Sequence, residues 1–507
     1  MWELLHQYRT LFIAAYVVVI LVLAVYGFHR SHLVYLYFKN RKRGHTPERR
    51  FDDLPVVTVQ LPIFNEMYVV ERLIEAVAAI DYPHDKLEIQ VLDDSTDETR
   101  EIAARKCAEV RARGLDCKHL SRPTRVGYKA GALDFGLHCA RGEFVAVFDA
   151  DFVPNPSFLR DMIDHFTDAG VGMVQARWGH LNGDYSGLTR VQSIMLDGHF
   201  IIEHTARNRS GRFFNFNGTA GIWRRQAIED AGGWQHDTLT EDLDLSYRAQ
   251  MKGWRFIYLP DVVSPAEIPC EMNSFKSQQF RWAKGSLQTA KKILPLLFRS
   301  DLPWKVKIEA AFHLSNNVAY LFLVLLSLLL LPMLAVRGEH GWREVLLLDM
   351  PLFFGTTLSI AGFYVMTQRL GDTPVTLWQA IRRVPLALSL GIGLSINQSR
   401  AVLEGLWGGP SEFVRTPKHG MATVATAAAT AGGGDSGGPV PVPASWVSKR
   451  YRAAKNLVPV IEILFATYFL ATIAVAIRYH HFSSLPFLLL FLGGYLYVGV
   501  LSIHQRR

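Results

Sequence analysis

Hydrophobic positions fall into two patterns along the chain. Between residues 56 and 148, short β-branched runs alternate with amphipathic stretches: VVTVQL (56–61), a helical pattern over 66–80, LEIQVL (87–92), a helix after Asp97, and EFVAVF (143–148). This alternation predicts β-α-β units and a mostly parallel sheet, whose ligands bind beyond the carboxyl ends of the strands. Elsewhere the apolar runs are unbroken. Residues 11–28, LFIAAYVVVILVLAVYGF, carry no charge and reach bilayer length at about 1.5 Å rise per residue. Further runs of spanning length stand at 312–335, 345–367, 457–477 and 484–502.

Basic residues give these runs a direction. Arg30, Lys39, Arg41, Lys42, Arg43, Arg49 and Arg50 follow the first run against Glu48 alone, so 29–310 is expected on the cytosolic side with the N-terminus outside. A cleaved signal has its basic end before the apolar core, the reverse of this order. The segment 384–408 is flanked by basic loops on both sides, with Arg369, Arg382 and Arg383 before it and Arg415, Lys418, Lys449 and Arg450 after. A single crossing would break that parity, and the Arg400, Glu404 and glycine content reads as an interfacial or re-entrant helix. Residues 419–446 are small, Gly/Pro-rich and aperiodic, a flexible linker by composition. The expected layout is therefore an N-terminal span (1–28), a cytosolic α/β domain with interfacial helices toward its end (29–310), two spans (311–368), a cytosolic interfacial segment (369–418), a linker (419–455) and two spans (456–507).

Composition narrows the class. With 49% hydrophobic and 20% charged residues among 507, the chain is neither disordered nor a small disulfide scaffold. The net charge of +8 arises beside the apolar runs, which suits membrane flanks and gives no support to a nucleic-acid partner. Cys107, Cys117, Cys139 and Cys270 form no C-x-x-C pair and are expected as free thiols.

Each predicted strand is followed by polar chemistry. Pro62-Ile63-Phe64-Asn65-Glu66 follows the first, and Asp93-Asp94-Ser95-Thr96-Asp97 the second, where Ser, Thr and Asp serve equally as helix caps. Phe148-Asp149-Ala150-Asp151-Phe152 leaves the third with two carboxylates one residue apart, which suits Mg²⁺ or Mn²⁺ shared with substrate phosphates. Thr240-Glu241-Asp242-Leu243-Asp244 opens a helical stretch, where acidic residues also complement the helix dipole. Gln278-Gln279-Phe280-Arg281-Trp282 lies among lysines and aromatics that also fit an amphipathic interfacial helix.

Taken together, Asp94 in VLDDS, Asp149 and Asp151 in FDADF, Asp242 in TEDLDL and Gln278, Arg281 and Trp282 in Q-x-x-R-W resemble the processive glycosyltransferases of family 2. That group contains cellulose synthases, cellulose-synthase-like mannan and glucan synthases, chitin synthases and hyaluronan synthases. Gly127 to Leu133 and Phe216 to Gly221 add to the likeness, which covers roughly 50–310. FNGTAGIWRR with QQFRWAKG looks most similar to the mannan- and glucan-synthase-like branch and its bacterial relatives. The resemblance implies an α/β GT-A-type domain with a mostly parallel sheet, joined to an α-helical transmembrane domain.

For the site, the resemblance implies Asp149 and Asp151 at a Mg²⁺ or Mn²⁺ ion, and donor binding by Pro62, Glu66, Asp94, Lys129, Asp149, Gln278 and Arg281. Asp242 matches the family's general base, with Glu241 second and Asp244 third. Phe216, Asn217, Gly218, Thr219 and Trp282 are expected on the acceptor side. Phe413, Val414, Thr416 and Lys418 sit where the family carries a gating loop, although Arg415 and Pro417 depart from its pattern and a plain basic flank remains the alternative. The implied activity is inverting, processive polymerisation of a β-1,4-glucan or mannan from UDP-glucose or GDP-mannose. A growing polysaccharide acceptor, the bilayer of a plasma or inner membrane, export of the product and room for an accessory export subunit go with it. Two other readings stay open: single transfer to a lipid acceptor, and a nucleotide-binding transporter or receptor without catalysis, for which Asp242 would be dispensable.

Overall fold

The computed structural model describes residues 9–337, 353–409 and 457–505. Among them, strands β1 Val57–Ile63, β2 Leu87–Asp93, β3 Asp116–Ser121, β4 Phe144–Val147, β5 Val171–His180, β6 Gly221–Arg224 and β7 Arg255–Ala266 form one sheet. Its order is β3-β2-β1-β4-β6-β5-β7. β1 pairs in parallel with β2 and β4, β2 with β3, and β5 with β7, while β6 runs antiparallel to β4 and β5. The chain moves outward from β1 through β2 to β3 and then returns to β4 on the other side of β1. Such a switch of direction opens a crevice at the carboxyl ends of β1 and β4.

The central strands are buried on both faces, as their near-continuous Val, Ile and Leu content dictates. The polar residues they contain are paired across the ladder. Thr58 Oγ1 donates to Glu88 Oε2 at 2.6 Å, Lys118 Nζ to Glu88 Oε1 at 2.5 Å and Gln60 Nε2 to Gln90 Oε1 at 3.1 Å. Unpaired, these groups would each cost a desolvation penalty. The helix expected over 66–80 is Val70–Ala78, with Val70, Leu73, Ile74 and Val77 on its buried face. The helix after Asp97 runs Thr99–Ala112, and Asp97 Oδ1 accepts from Thr99 N at 2.9 Å. Asp97 thus meets the first amide of this helix from just outside its N-cap, Glu98, and all four cysteines are free.

Four helical stretches among the described residues are long and apolar enough to cross a membrane: Thr10–Asn40, Trp304–Leu334, Val458–Arg478 and Phe482–His504. The first does not stop at 28 as the loss of apolar character suggested; its helix continues unbroken to Asn40. Its first polar residues have buried partners, since His29 Nε2 lies 3.1 Å from Glu309 Oε2 and Arg30 pairs with Glu203. The run at 345–367 is described only from 353, where a π-helical turn Phe353–Leu358 leads into Ser359–Leu370.

The segment expected at 384–408 is longer, a 31-residue helix Leu377–Trp407 opened by a capping box of Thr376 and Gln379. It packs between the helices Met272–Arg299 and Leu485–His504. A Cβ built on Gly393 would lie 2.3 Å from the Gly494 carbonyl oxygen, so only glycine allows these two backbones to meet. On its other side Lys284 Nζ reaches Glu404 Oε2 at 3.1 Å. Arg177, at the end of β5, binds both carboxylate oxygens of Asp372 at 2.6 Å and ties the sheet to the loop before this helix. The linker and the loop carrying Phe413, Val414, Thr416 and Lys418 lie outside the described residues.

Candidate active site

A cleft of about 180 Å³ opens at the carboxyl ends of β1, β2 and β4. One side carries Pro62 from the end of β1, Glu66, Asp94, Asp149 and Asp151 from turns just past a strand, and Lys129 from the first turn of a helix. The far side carries Asn217, Gly218, Glu241, Asp242 and, from one long helix, Gln278, Arg281 and Trp282. Seven separate chain segments therefore converge on one volume. The Q-x-x-R-W spacing is what makes the helical contribution possible, because residues i, i+3 and i+4 share one face.

Lys129 lies at its centre. Its Nζ donates to Asp149 Oδ1 at 2.5 Å and to the Gly218 carbonyl at 2.9 Å, joining the two walls. Burial works to lower its pKa, but Asp149, Glu241 and Asp242 outweigh that and hold it above the usual lysine value. Glu241 and Asp242 open the helix Glu241–Met251, whose positive dipole end favours carboxylates. Burial nevertheless pushes both upward, and Asp242, beside Glu241, rises to about 7. Burial lowers Arg281, whose side chain remains a cation facing Glu241, Asp149 and Asp242.

Asp149 and Asp151 supply hard oxygen donors on one turn. Among the described residues no group of three or more His, Cys, Asp or Glu gathers as a metal cluster. The pair suits a cation such as Mg²⁺ or Mn²⁺ that completes its shell with substrate phosphates and water. Asp149 is held from both ends, since its backbone N–H donates to Thr219 Oγ1 at 2.9 Å.

Three expectations change in the structure. Phe216 and Thr219 are fully buried and do not line the cleft. Phe216 packs edge-on against Trp223, and Thr219 supports Asp149 from behind, so only Asn217 and Gly218 between them face the cleft. Asp244 is also removed from the chemistry: its carboxylate pairs with Arg248 Nε at 2.8 Å and Lys292 Nζ at 3.0 Å. Asp94 lines the cleft but is gripped by Arg122, at 3.0 Å from Nε and 2.5 Å from Nη2.

Several residues had no signal in the sequence. Arg122 also donates to the carbonyls of Val126 and Tyr128, fixing the loop that presents Lys129. Arg125 stacks on Phe64, 3.4 Å from the ring centroid, at the edge of the cleft. Trp178, near the end of β5, lines the cleft with its ring 6.5 Å from that of Trp282, so two indoles face the same volume.

Residues 55–285 match the family model described as "Glycosyltransferase like family 2". The chain is 41% identical over 276 residues to glucomannan 4-beta-mannosyltransferase 1 of Oryza sativa subsp. japonica, covering 54% of this chain and 52% of that protein. It is 41% identical over 283 residues to glucomannan 4-beta-mannosyltransferase 2 of Arabidopsis thaliana, covering 53% and 52%. The matched region thus spans about half the length of these relatives. Among solved structures, the mannosyltransferase PcManGT from Pyrobaculum calidifontis, in complex with GDP-Man and Mn2+, superposes with a TM-score of 0.54 at 23% identity. That match covers 77% of this chain and 99% of that one, a likeness of fold. The GT-A-type sheet with its crevice, the converging motifs and the family match agree: residues 55–285 form a family 2 glycosyltransferase domain.

Proposed function

We propose that this protein is a membrane-embedded, inverting glycosyltransferase that extends a β-linked polysaccharide of mannan or glucan type, with GDP-mannose the first donor to test and UDP-glucose the second. The convergence of Lys129, Asp149, Asp151, Glu241, Asp242 and Arg281 on one cleft carries the reading. Similarity to glucomannan 4-beta-mannosyltransferases favours the mannosyl donor.

In this reading the diphosphate lies between the Asp149–Asp151 turn, Lys129 and Arg281. A divalent cation held by the two aspartates would neutralise charge developing on the leaving group. Asp242 accepts the proton of the acceptor hydroxyl as its oxygen bonds to the anomeric carbon. The bond from that carbon to the diphosphate breaks, and the nucleoside diphosphate leaves with the electron pair. Arg281 neutralises phosphate oxygens, and Trp178 and Trp282 offer flat apolar faces to the acceptor rings. The carboxylate must be ionised to act, and an incoming cation and Lys129 favour that form.

In the same reading the catalytic domain faces the cytosol from a plasma or inner membrane, and the basic residues after the first span support that orientation. Export along the spans and closure by the 413–418 loop belong to the same reading. Purified protein in proteoliposomes, given Mn²⁺ or Mg²⁺ and radiolabelled GDP-mannose, UDP-glucose or UDP-N-acetylglucosamine, tests it by the size and glycanase sensitivity of the product. High-molecular-weight β-linked material from one donor is expected. A lipid-sized product alone would replace the polymer with single transfer, and no transfer from any donor would overturn the enzymatic reading.

A further inference from the structure

Asn217 faces the cleft, and its carboxamide is gripped from behind by two histidines. His204 Nε2–H donates to Asn217 Oδ1 at 2.6 Å, and Asn217 Nδ2–H donates to His199 Nε2 at 3.0 Å. The two imidazoles pack against each other with centroids 4.2 Å apart. Both stand on the π-helical stretch Gly198–His204, a local widening of the helix that is frequent at functional sites. The distal nitrogen of His199 lies 3.4 Å from Glu203 Oε2, which fixes the proton on Nδ1 and leaves Nε2 as an acceptor. Burial, with Arg207 nearby, keeps both rings neutral, so each has one donor and one acceptor nitrogen.

The backbone of the same loop is equally constrained. Asn217 N donates to Gln175 Oε1 at 3.1 Å, and Gln175 Nε2 donates to the Thr219 and Ala220 carbonyls at 3.1 and 2.9 Å. Ala220 is left-handed, with φ 53°, a conformation that needs such over-determination. With backbone and one edge of the amide fixed, the second Nδ2–H and the second lone pair of Oδ1 are the groups left for the cleft. A donor and an acceptor side by side match the hydroxyls of a sugar ring.

We propose that His199 and His204 are positioning residues that hold the Asn217 carboxamide in one orientation, so that it hydrogen-bonds a hydroxyl of the acceptor sugar. The inference rests on the glycosyl-transfer reading and adds to it the device that orders the acceptor wall. The device is tied to the first span, because Glu203 accepts from Arg207 Nη1 at 3.1 Å and Arg207 Nε donates to Glu309 Oε1 at 2.9 Å. Glu309 in turn meets His29.

The test is a double-mutant cycle on the full-length protein, with short oligosaccharide acceptors and a saturating donor. Asn217→Ala and His204→Leu are each expected to raise the acceptor KM by roughly tenfold, the scale of one hydrogen bond, with the donor KM unchanged. The double variant should be no worse than Asn217→Ala alone, since His204 acts through Asn217. His204→Gln, which keeps an N–H at the reach of Nε2, should restore most of the loss. Additive losses, or a donor KM that rises with the acceptor KM, would overturn the proposal. If His204→Leu does not fold, His199→Gln against His199→Leu gives the same comparison. Absence of transfer by the unsubstituted protein would instead strike the underlying reading, so the two failures are distinguishable.

Discussion

Gly218 abuts Asp242 so closely that a Cβ built on the glycine would stand 3.0 Å from Asp242 Oδ2, and 3.3 Å from Lys129 Nζ. Its φ of +79° adds strain for any other residue. Gly218→Ala should therefore displace the two charged groups together. We expect transfer to fall by roughly tenfold to a hundredfold, the effect of a sub-ångström to ångström misplacement. Stability should drop by only about 1 kcal/mol. Transfer rate and Tm measured on the same preparation check both.

The raised pKa of Asp242 predicts an acid limb in the pH profile. A base must be ionised, so kcat/KM should fall as pH drops through about 7 and level off above it. Asp242→Asn should remove what remains of that limb together with the activity.

The same shift has a stability consequence. The folded chain holds the Asp242 proton up to about 7, whereas the ordinary value is 3.8. The stability this group contributes is full below the ordinary value and is lost as pH rises toward 7. Asp242→Asn should accordingly raise Tm at pH 8 and leave it nearly unchanged at pH 4, as read by thermal unfolding in detergent.

Metal dependence follows from the Asp149–Asp151 turn. Chelation should abolish transfer, and Mn²⁺ or Mg²⁺ should restore it. Asp151→Asn should shift the metal activation curve to higher concentration, whereas Asp244→Asn should leave it unmoved because Asp244 pairs with Arg248 and Lys292. Titration of activity against free Mn²⁺ separates the two.

Lys276 Nζ lies 2.6 Å from Glu462 Oε1, both buried, and fastens the Q-x-x-R-W helix to the helix Val458–Arg478. Lys276→Met removes the cation that faces this buried carboxylate and should cost about 3–5 kcal/mol. Lys276→Met with Glu462→Leu should recover most of that, because the desolvation penalty disappears with both charges. Detergent melts of the two variants decide.

Strand ends were legible because a parallel sheet sends every ligand group to one edge, and Asp94, Asp149 and Asp151 follow their strands directly. Side-chain direction was not. Phe216 and Thr219 sit beside Asn217 and Gly218 in sequence, and only the packing of Phe216 on Trp223 decides which residues face the cleft. Asp244 reads like Asp242 until Arg248 and Lys292, four and 48 residues on, are brought against it. The histidines behind Asn217 carry no spacing signal at all, since they come from a separate helix and meet it through tertiary packing. The first helix extends past its apolar run for a related reason. Loss of apolar character at His29 and Arg30 looks like an end when their partners Glu309 and Glu203 are distant in sequence.

Asp242 is the proposed base in a cleft that otherwise only binds. The most direct test is single-turnover transfer from radiolabelled GDP-mannose or UDP-glucose, whichever supports transfer, by the parent and by Asp242→Asn in proteoliposomes, with donor affinity measured on each. We predict a rate lower by roughly a hundredfold or more with donor affinity retained. Full transfer by Asp242→Asn would contradict the mechanism proposed for this site.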